Sequence, residues 1–352
     1  MAGRKGAAKP TIADVAALAG VSVSAVSKVV NGRGSISAPT RQRVLDAADK
    51  LRWSPSATAV ALRGARTRAI AMVASRAPDV LAADPHFTVL IAGIERELAP
   101  ADYGLLLHIV GEEPDAEERA YRRLAGERRV DGVILTESRV NDPRFQLLRD
   151  LRLPAVLVGE PWPEDAVPAV GAPGQDVGMK EAVTHLLGLG HRHFAYLAGP
   201  EDRVHTAYRR RVFEAALAEA GLRPGWMVTT DFTPQDAASA TAALLGPGSA
   251  SRPTAILYAN DTMAIAGMYA ARRLGYDVPG DVSVVGYDDL PMGDVVFPGL
   301  TTIGQDLTQL GRAAAAEMFR LLDVGRADET PLPALTPPRL VVRESTGRAP
   351  RD

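Results

Sequence analysis

The 352-residue chain reads as a small all-α module followed by an α/β body of two parallel-sheet lobes. Three observations predict this. Residues 11–31 carry two short helix patterns separated by Gly20. From Ala69 onward, apolar runs alternate with helical stretches in two consecutive sets, the pattern of parallel sheets covered by helices. The charge also changes sign along the chain. Residues 1–68 hold 12 Lys and Arg against Asp14, Asp46 and Asp49, a balance of +9; the whole chain carries −2, which leaves −11 for the rest. A basic head on an acidic body suits a polyanion-binding module joined to something else.

Residues 1–10 read as a disordered basic tail. Thr11 can cap the first helix, and Asp14 three residues later completes a variant of the capping box. Ile12, Val15, Ala16 and Ala19 form one apolar stripe. Gly20 permits a turn, and Ser22 can cap the next helix. There Val26, Val29 and Val30 face inward, and Val23, Ser24, Ser27 and Lys28 face out, before Asn31-Gly32 stops the helix. This is helix-turn-helix geometry, in which the second helix lies in the major groove of DNA. A third helix starts near Ser37, taken as its cap, and presents Val44, Leu45, Ala48 and Leu51 to the core; residues 11–54 thus form an all-α headpiece. Between Trp53 and Gly64, Pro55 can open and Gly64 can close a two-turn helix rich in small residues, which is marginal alone in water. Leu62 near its end is a candidate wedge for a minor groove, or else a plain dimer or core contact. Residues 55–68 therefore read as a hinge helix and linker.

In the body, strand-like runs fall at Ala69–Ala74, Leu105–Val110, Gly132–Leu135 and Ala155–Val158, then at Phe194–Ala198, Met227–Thr229, Ala255–Tyr258 and Val282–Gly286. Helical stretches lie near 86–99, 115–126 and 143–150, then near 175–189, 205–220, 234–245 and 262–274. Ligands of open parallel sheets bind at the carboxyl ends of the strands, so a cleft between the lobes is the expected ligand site. The chain has no Cys, which excludes disulfides, thiolate metal sites and thiol catalysis. Its six His show no metal-ligand spacing, and Gly190-His191-Arg192-His193 reads as a loop at a helix end; no metal or cofactor is expected. A nucleophile elbow, a P-loop and a dinucleotide glycine fingerprint are all missing, which weighs against an α/β enzyme. No stretch has the length of a bilayer span, and the N-terminus is not of signal-peptide type, which weighs against an exported binding protein and favours the cytoplasm.

The chain resembles the LacI/GalR family of bacterial transcription regulators over essentially its whole length. The residues that carry the resemblance are Thr11–Asn31, Trp53-Ser-Pro-Ser56, Val130-Asp-Gly-Val-Ile-Leu135, Gly190-His-Arg-His-Phe-Ala-Tyr-Leu-Ala-Gly-Pro200, Pro253-Thr-Ala-Ile-Leu-Tyr-Ala-Asn-Asp261, Val282-Ser-Val-Val-Gly-Tyr-Asp-Asp289 and Leu300-Thr-Thr-Ile-Gly-Gln305, in that order. The resemblance implies a headpiece, a hinge helix and an effector domain of two lobes similar to periplasmic sugar-binding proteins. The lobes would be an N-lobe of about 69–172 and 304–326 and a C-lobe of about 173–303 and 327–346, with crossings near 172, 303 and 326. It also implies a homodimer on a pseudo-palindromic operator in double-stranded DNA. No leucine heptad follows Leu340–Ser345, so no C-terminal tetramer helix is expected.

Residue by residue, the resemblance places Val23, Ser24 and Lys28 at base-reading positions and Thr11, Ser22, Ser27 and Asn31 at phosphate-positioning ones. Leu62 matches the leucine that opens a central base step. In the cleft it places His86 and Phe87 as aromatic contacts, Arg209 as an effector-contacting arginine and Phe232 as a ring able to stack on a sugar face. Asn260, Asp288 and Gln305 match polar contacts at strand ends. From the residues alone, Asp288 and Asp289 can also cap a turn, Arg209 can sit on a solvated helix face, and Asn260-Asp261 can cap a helix, with Asp261 the expected cap. Three departures stand out: Val60 where many members have a basic residue, Gly159 where some sugar-binding members have an Asp, and Pro173-Gly174 in place of an acidic-plus-amide pair. The expected function is a DNA-binding regulator, most simply a repressor, controlled by a small molecule such as a sugar. A protein or a phosphorylated metabolite as the ligand is the alternative. Effector binding is expected to change the lobe angle and so to join or separate the hinge segments near 56–63.

Overall fold

The computed structural model describes residues 10–30, 36–53, 66–75, 85–111, 113, 115–163, 167–246, 251–325, 331–332 and 334–351. It divides into two units, Met1–Thr67 and Arg68–Asp352.

In the first unit, α1 (Ile12–Ala19) opens with a complete capping box. The Thr11 hydroxyl accepts from the Asp14 N–H at 3.4 Å, and the Asp14 carboxylate accepts from the Thr11 N–H at 2.7 Å. Gly20 ends the helix at φ +66°, a left-handed conformation that costs glycine nothing. α2 (Val23–Val30) follows Ser22, whose hydroxyl accepts from the Ala25 N–H at 3.2 Å. The chain bends by 103° between α1 and α2, within the helix-turn-helix range. α3 (Ala38–Leu51) closes a core of Val15, Ala16, Ala19, Val26, Val29, Val44 and Ala47.

Two sequence expectations fail here. Leu45 is 46% exposed, and Ala47 takes the buried place, because the stripe that starts at Val44 returns three residues later and not one. Ser37 holds the N-cap position of α3 but does not cap it; its hydroxyl donates to the Thr40 hydroxyl at 2.9 Å. The expected basic tail, the hinge helix and its Val60 and Leu62, and the helix stop at Asn31 lie outside the described residues.

The second unit begins with β1 (Ala69–Ser75), α4 (Pro85–Leu98), a 3₁₀ turn at Ala99–Ala101, β2 (Gly104–Val110), α5 (Ala116–Gly126), β3 (Gly132–Leu135), α6 (Pro143–Asp150), β4 (Ala155–Val158) and β5 (Ala169–Val170). These strands form a parallel sheet in the order β2-β1-β3-β4-β5. The second set is α7 (Val177–Gly188), β6 (Phe194–Ala198), α8 (Val204–Glu219), β7 (Trp226–Thr229), α9 (Pro234–Leu245), β8 (Ala255–Tyr258), α10 (Asp261–Arg273), β9 (Ser283–Asp288), the short α11 (Met292–Val295), β10 (Thr301–Gly304), α12 (Leu307–Leu321) and β11 (Arg339–Val341). Its sheet has the order β11-β10-β9-β8-β6-β7, parallel except for β11, which runs antiparallel to β10. The central strands β3, β6, β8 and β9 are buried at every residue, as expected of sheets covered on both faces.

The chain passes between the lobes three times. It leaves the first sheet after β5 for α7. It returns after β10, where Ala314, Ala315, Met318 and Phe319 of α12 join Ile70, Leu90 and Ile94 in the first lobe's core. It crosses back before β11. The alternation legible in the sequence stops at Gly286, yet β9 continues to Asp288: Tyr287 packs in the second lobe's core and Asp288 pairs with Gly304. Among the described residues, no single helix is long and apolar enough to cross a membrane.

Candidate functional site

The exposed face of α2 carries Val23, Ser24 and Lys28, with Val23 44% exposed and Ser27 half-buried beside them. Thr11 and Ser22 are exposed at the N-terminal ends of α1 and α2. The hydroxyls of Ser22 and Ser24 lie 2.9 Å apart. Asn31 and Leu62 fall outside the described residues.

The second unit holds a cavity of about 530 Å³ between its lobes. All seven residues expected in the cleft line it: His86 and Phe87 from the start of α4, Arg209 from α8, Phe232 after β7, Asn260 and Asp288 at the ends of β8 and β9, and Gln305 at the second crossing. They do not contribute equally. Phe87 is only 4% exposed and belongs to the first lobe's core, while His86 meets it edge-on at 5.6 Å and presents the more open ring. Phe232 is 8% exposed. Its ring lies so close to Gly199 that a Cβ there would overlap it, and the His205 ring stacks alongside at 5.7 Å. Both rings line the cavity, and His205 is the more exposed of the two.

Arg209 is not on a solvated face. Its guanidinium lies 3.4 Å over the Tyr287 ring and donates to the Ala259 carbonyl at 3.2 Å, so the fork is held at the cavity wall. Asn260 and not Asp261 caps α10: its side chain accepts from the Met263 N–H at 2.8 Å, which leaves its NH₂ as the group for the cavity. Asp288 accepts from Gln305 Nε2 at 2.7 Å and stands 3.5 Å from His86 Nδ1, so it touches elements of both lobes. Asp289 pairs with Arg343 at 2.6 Å.

Several lining residues carried no signal in the sequence. Glu137 enters from the loop after β3 at φ +54°. That loop is held by buried Arg144, which donates to the Thr136 and Glu137 carbonyls at 3.1 Å each and pairs with Asp142 at 2.6 Å. The same loop reaches the other lobe, with the Val140 N–H on the Asp202 carbonyl at 2.9 Å and the Val204 N–H on the Ser138 carbonyl at 3.0 Å. Glu160 and Trp162 follow Gly159, and Gln175 and Asp176 follow Pro173-Gly174. The carboxylate and amide missing at those positions are thus supplied one or two residues later. Among the described residues, no cluster of His, Asp and Glu could hold a metal ion. His191 instead ties the C-terminal segment to the sheet through Thr254, Ser283 and the Gly347 carbonyl, all within 3.0 Å.

A helix-turn-helix module and a two-lobed ligand-binding module are therefore encoded in one chain. Residues 11–56 match the family model for bacterial regulatory proteins of the lacI family, and residues 183–346 match that for a periplasmic binding protein-like domain. The chain is 34% identical over 310 residues to the HTH-type transcriptional repressor PurR of Aliivibrio fischeri, covering 86% of this chain and 89% of that protein. It is 34% identical over 343 residues to the HTH-type transcriptional regulator CelR of Thermobifida fusca, covering 96% and 98%. Among solved structures, it is similar to a CelR–cellobiose complex (31% identity, TM-score 0.68) and to a lac repressor dimer bound to operator and the anti-inducer ONPF (29% identity, TM-score 0.81), each over 96% of this chain and 99% of the other. The chain belongs to the lacI family of bacterial regulatory proteins. It is a DNA-binding transcriptional regulator and not an enzyme.

Proposed function

We propose that this regulator is a repressor whose grip on a pseudo-palindromic operator is set by a small carbohydrate in the interlobe cleft. The observation that carries the ligand class is the lining itself. The open His86 and His205 rings, the held Arg209 fork, the Asn260 amide and the Asp288–Gln305 pair together offer stacking surface and directional hydrogen bonds, the combination that fixes a ring of hydroxyls. CelR, a relative over nearly the whole chain, has been solved with cellobiose.

On the DNA side, Lys28 donates to a guanine edge, Ser24 to a base edge or phosphate, and Val23 meets a thymine methyl. Thr11, Ser22, Ser27 and Asn31 hold phosphates, and Leu62 wedges a central step. The working unit is a homodimer in the cytoplasm, on the nucleoid. Supporting the dimer are exposed apolar side chains on each lobe: Leu107 and Ile109 on the edge strand β2, and Tyr269, Met292, Val295 and Phe297 on the second lobe. Ligand binding shifts the population of lobe arrangements, and the hinge segments near 56–63 order on DNA in one of them.

A thermal-shift panel of mono- and disaccharides, nucleosides and phosphorylated sugars tests the ligand class. Stabilisation by sugars that is lost in Asp288→Asn supports it. Stabilisation only by phosphorylated metabolites or nucleosides overturns it.

A further inference from the structure

The cleft wall contains a backbone elbow, and its support lies outside the residues that line the cavity. At the end of β9, Asp288 has φ +112° and Asp289 φ +57°, two consecutive left-handed positions without a glycine. Such backbone persists only where its surroundings over-determine it. The elbow has two ends. Asp288 faces the cavity and His86. Leu290, two residues on, is 3% exposed in the first lobe's core with Phe87, Leu307 and Leu310, although its strand belongs to the other lobe.

Asp261 fastens this elbow. It is fully buried, and because Asn260 caps α10, neither of its bonds serves its own helix. One carboxylate oxygen accepts from the Leu290 N–H at 2.7 Å, and the other accepts from the Thr302 hydroxyl of β10 at 2.5 Å. On the far side, Arg343 holds Asp289 and also bonds Asp294 and the Leu300 carbonyl.

We propose that Asp261 is a positioning residue for the cleft: its buried carboxyl sets the elbow that presents Asp288 to the ligand and seats Leu290 in the opposite lobe. A single side chain thereby links the ligand contact to the packing between lobes. Its part in ligand binding rests on the cleft being the effector site, as proposed above.

The charges around Asp261 agree with this placement. Asp288 at the end of β9 and Asp289 just after it are the acidic groups that act on it, and Thr302 offers a neutral hydroxyl from β10. Arg343 is committed to Asp289 and Asp294, and Arg209 to Ala259 and Tyr287. Burial, with Asp288 adding to it, pushes the Asp261 carboxyl up to about 7.

Hydrogen–deuterium exchange on the full-length protein tests the elbow without any ligand, so a sugar panel that finds nothing does not affect the outcome. Asp261→Ala is expected to speed exchange of the Leu290 amide by about 10- to 100-fold, and to speed exchange across the cleft in residues 85–90 as well. Asp261→Asn keeps an oxygen for Leu290 and is expected to stay within about threefold of wild type. Once corrected for the intrinsic rate, wild-type protection at Leu290 should fall as pH passes through neutrality, since ionising the buried carboxyl disfavours the closed elbow, while the Asn variant stays flat. The pH comparison decides the matter even where the Ala variant does not fold. Unchanged exchange at Leu290 in Asp261→Ala overturns the assignment, as does an effect confined to α10 or a flat wild-type pH profile.

Discussion

The recognition helix and the interlobe cleft expose their working side chains by opposite means. α2 is a regular helix, and Val23, Ser24 and Lys28 are outward because Val26 and Val29 are inward. The period of the helix does the sorting. The cleft is assembled from strand ends and turns, and Glu137, Phe232 and Asp288 all reach it from left-handed backbone. Its geometry is set by buried supports such as Arg144 and Asp261. The difference teaches where each function is vulnerable. On the proposed reading, DNA binding is expected to fail when an exposed side chain is lost, and ligand binding when a buried one is.

The largest effect should come from the cleft's supports. Arg144→Ala leaves Asp142 and Glu117 without their buried partner and frees two carbonyls, and it is expected to cost about 3–5 kcal/mol. Urea unfolding followed by far-ultraviolet circular dichroism measures this loss. A loss below about 1 kcal/mol would mean that the loop carrying Glu137 does not depend on Arg144.

Asp261 should show next, through pH. Burial, with Asp288 adding to it, pushes its carboxyl up to about 7, well above the usual carboxylate range. The protonated form is thus favoured by folding, and the stability it contributes is present in acid and fades as pH rises through 7. Relative to Asp261→Asn, the wild type should lose about 3 kcal/mol between pH 5 and pH 8. Parallel stability curves for the two proteins would show that Asp261 is ionised throughout.

These two residues also mark how far the sequence was legible. The headpiece could be read from periodicity and capping, since Thr11, Gly20 and the valines act within a turn or two of themselves. The strands were legible because they are apolar on both faces. Leu45 misled because its size outweighed its angle on the helix. All seven cleft residues were placed through a resemblance, and no local pattern would have found them. Glu160, Gln175 and His205 were missed because what brings them to the cavity is the pairing of distant strands. Asp261 was misassigned as a cap because Asn260 competes for that bond and, one residue earlier, wins it.

On the DNA side the expected changes are smaller. Lys28→Ala should weaken operator binding by about 1–3 kcal/mol, measured by fluorescence polarisation against operator and random duplexes. Equal losses on both would make Lys28 a phosphate contact. The smallest effect belongs to Leu45→Ala, expected within about 0.5 kcal/mol of wild type in thermal unfolding of the headpiece, because the side chain is exposed. A loss approaching that of Val44→Ala would show that something covers Leu45.

The central claim is that ligand and operator act on one equilibrium. Titration of the sugar giving the largest thermal shift, with and without saturating operator, measures that coupling, alongside operator affinity with and without the sugar. The account predicts two ratios that differ from one and equal each other. Sugar affinity that is identical with and without operator would contradict it.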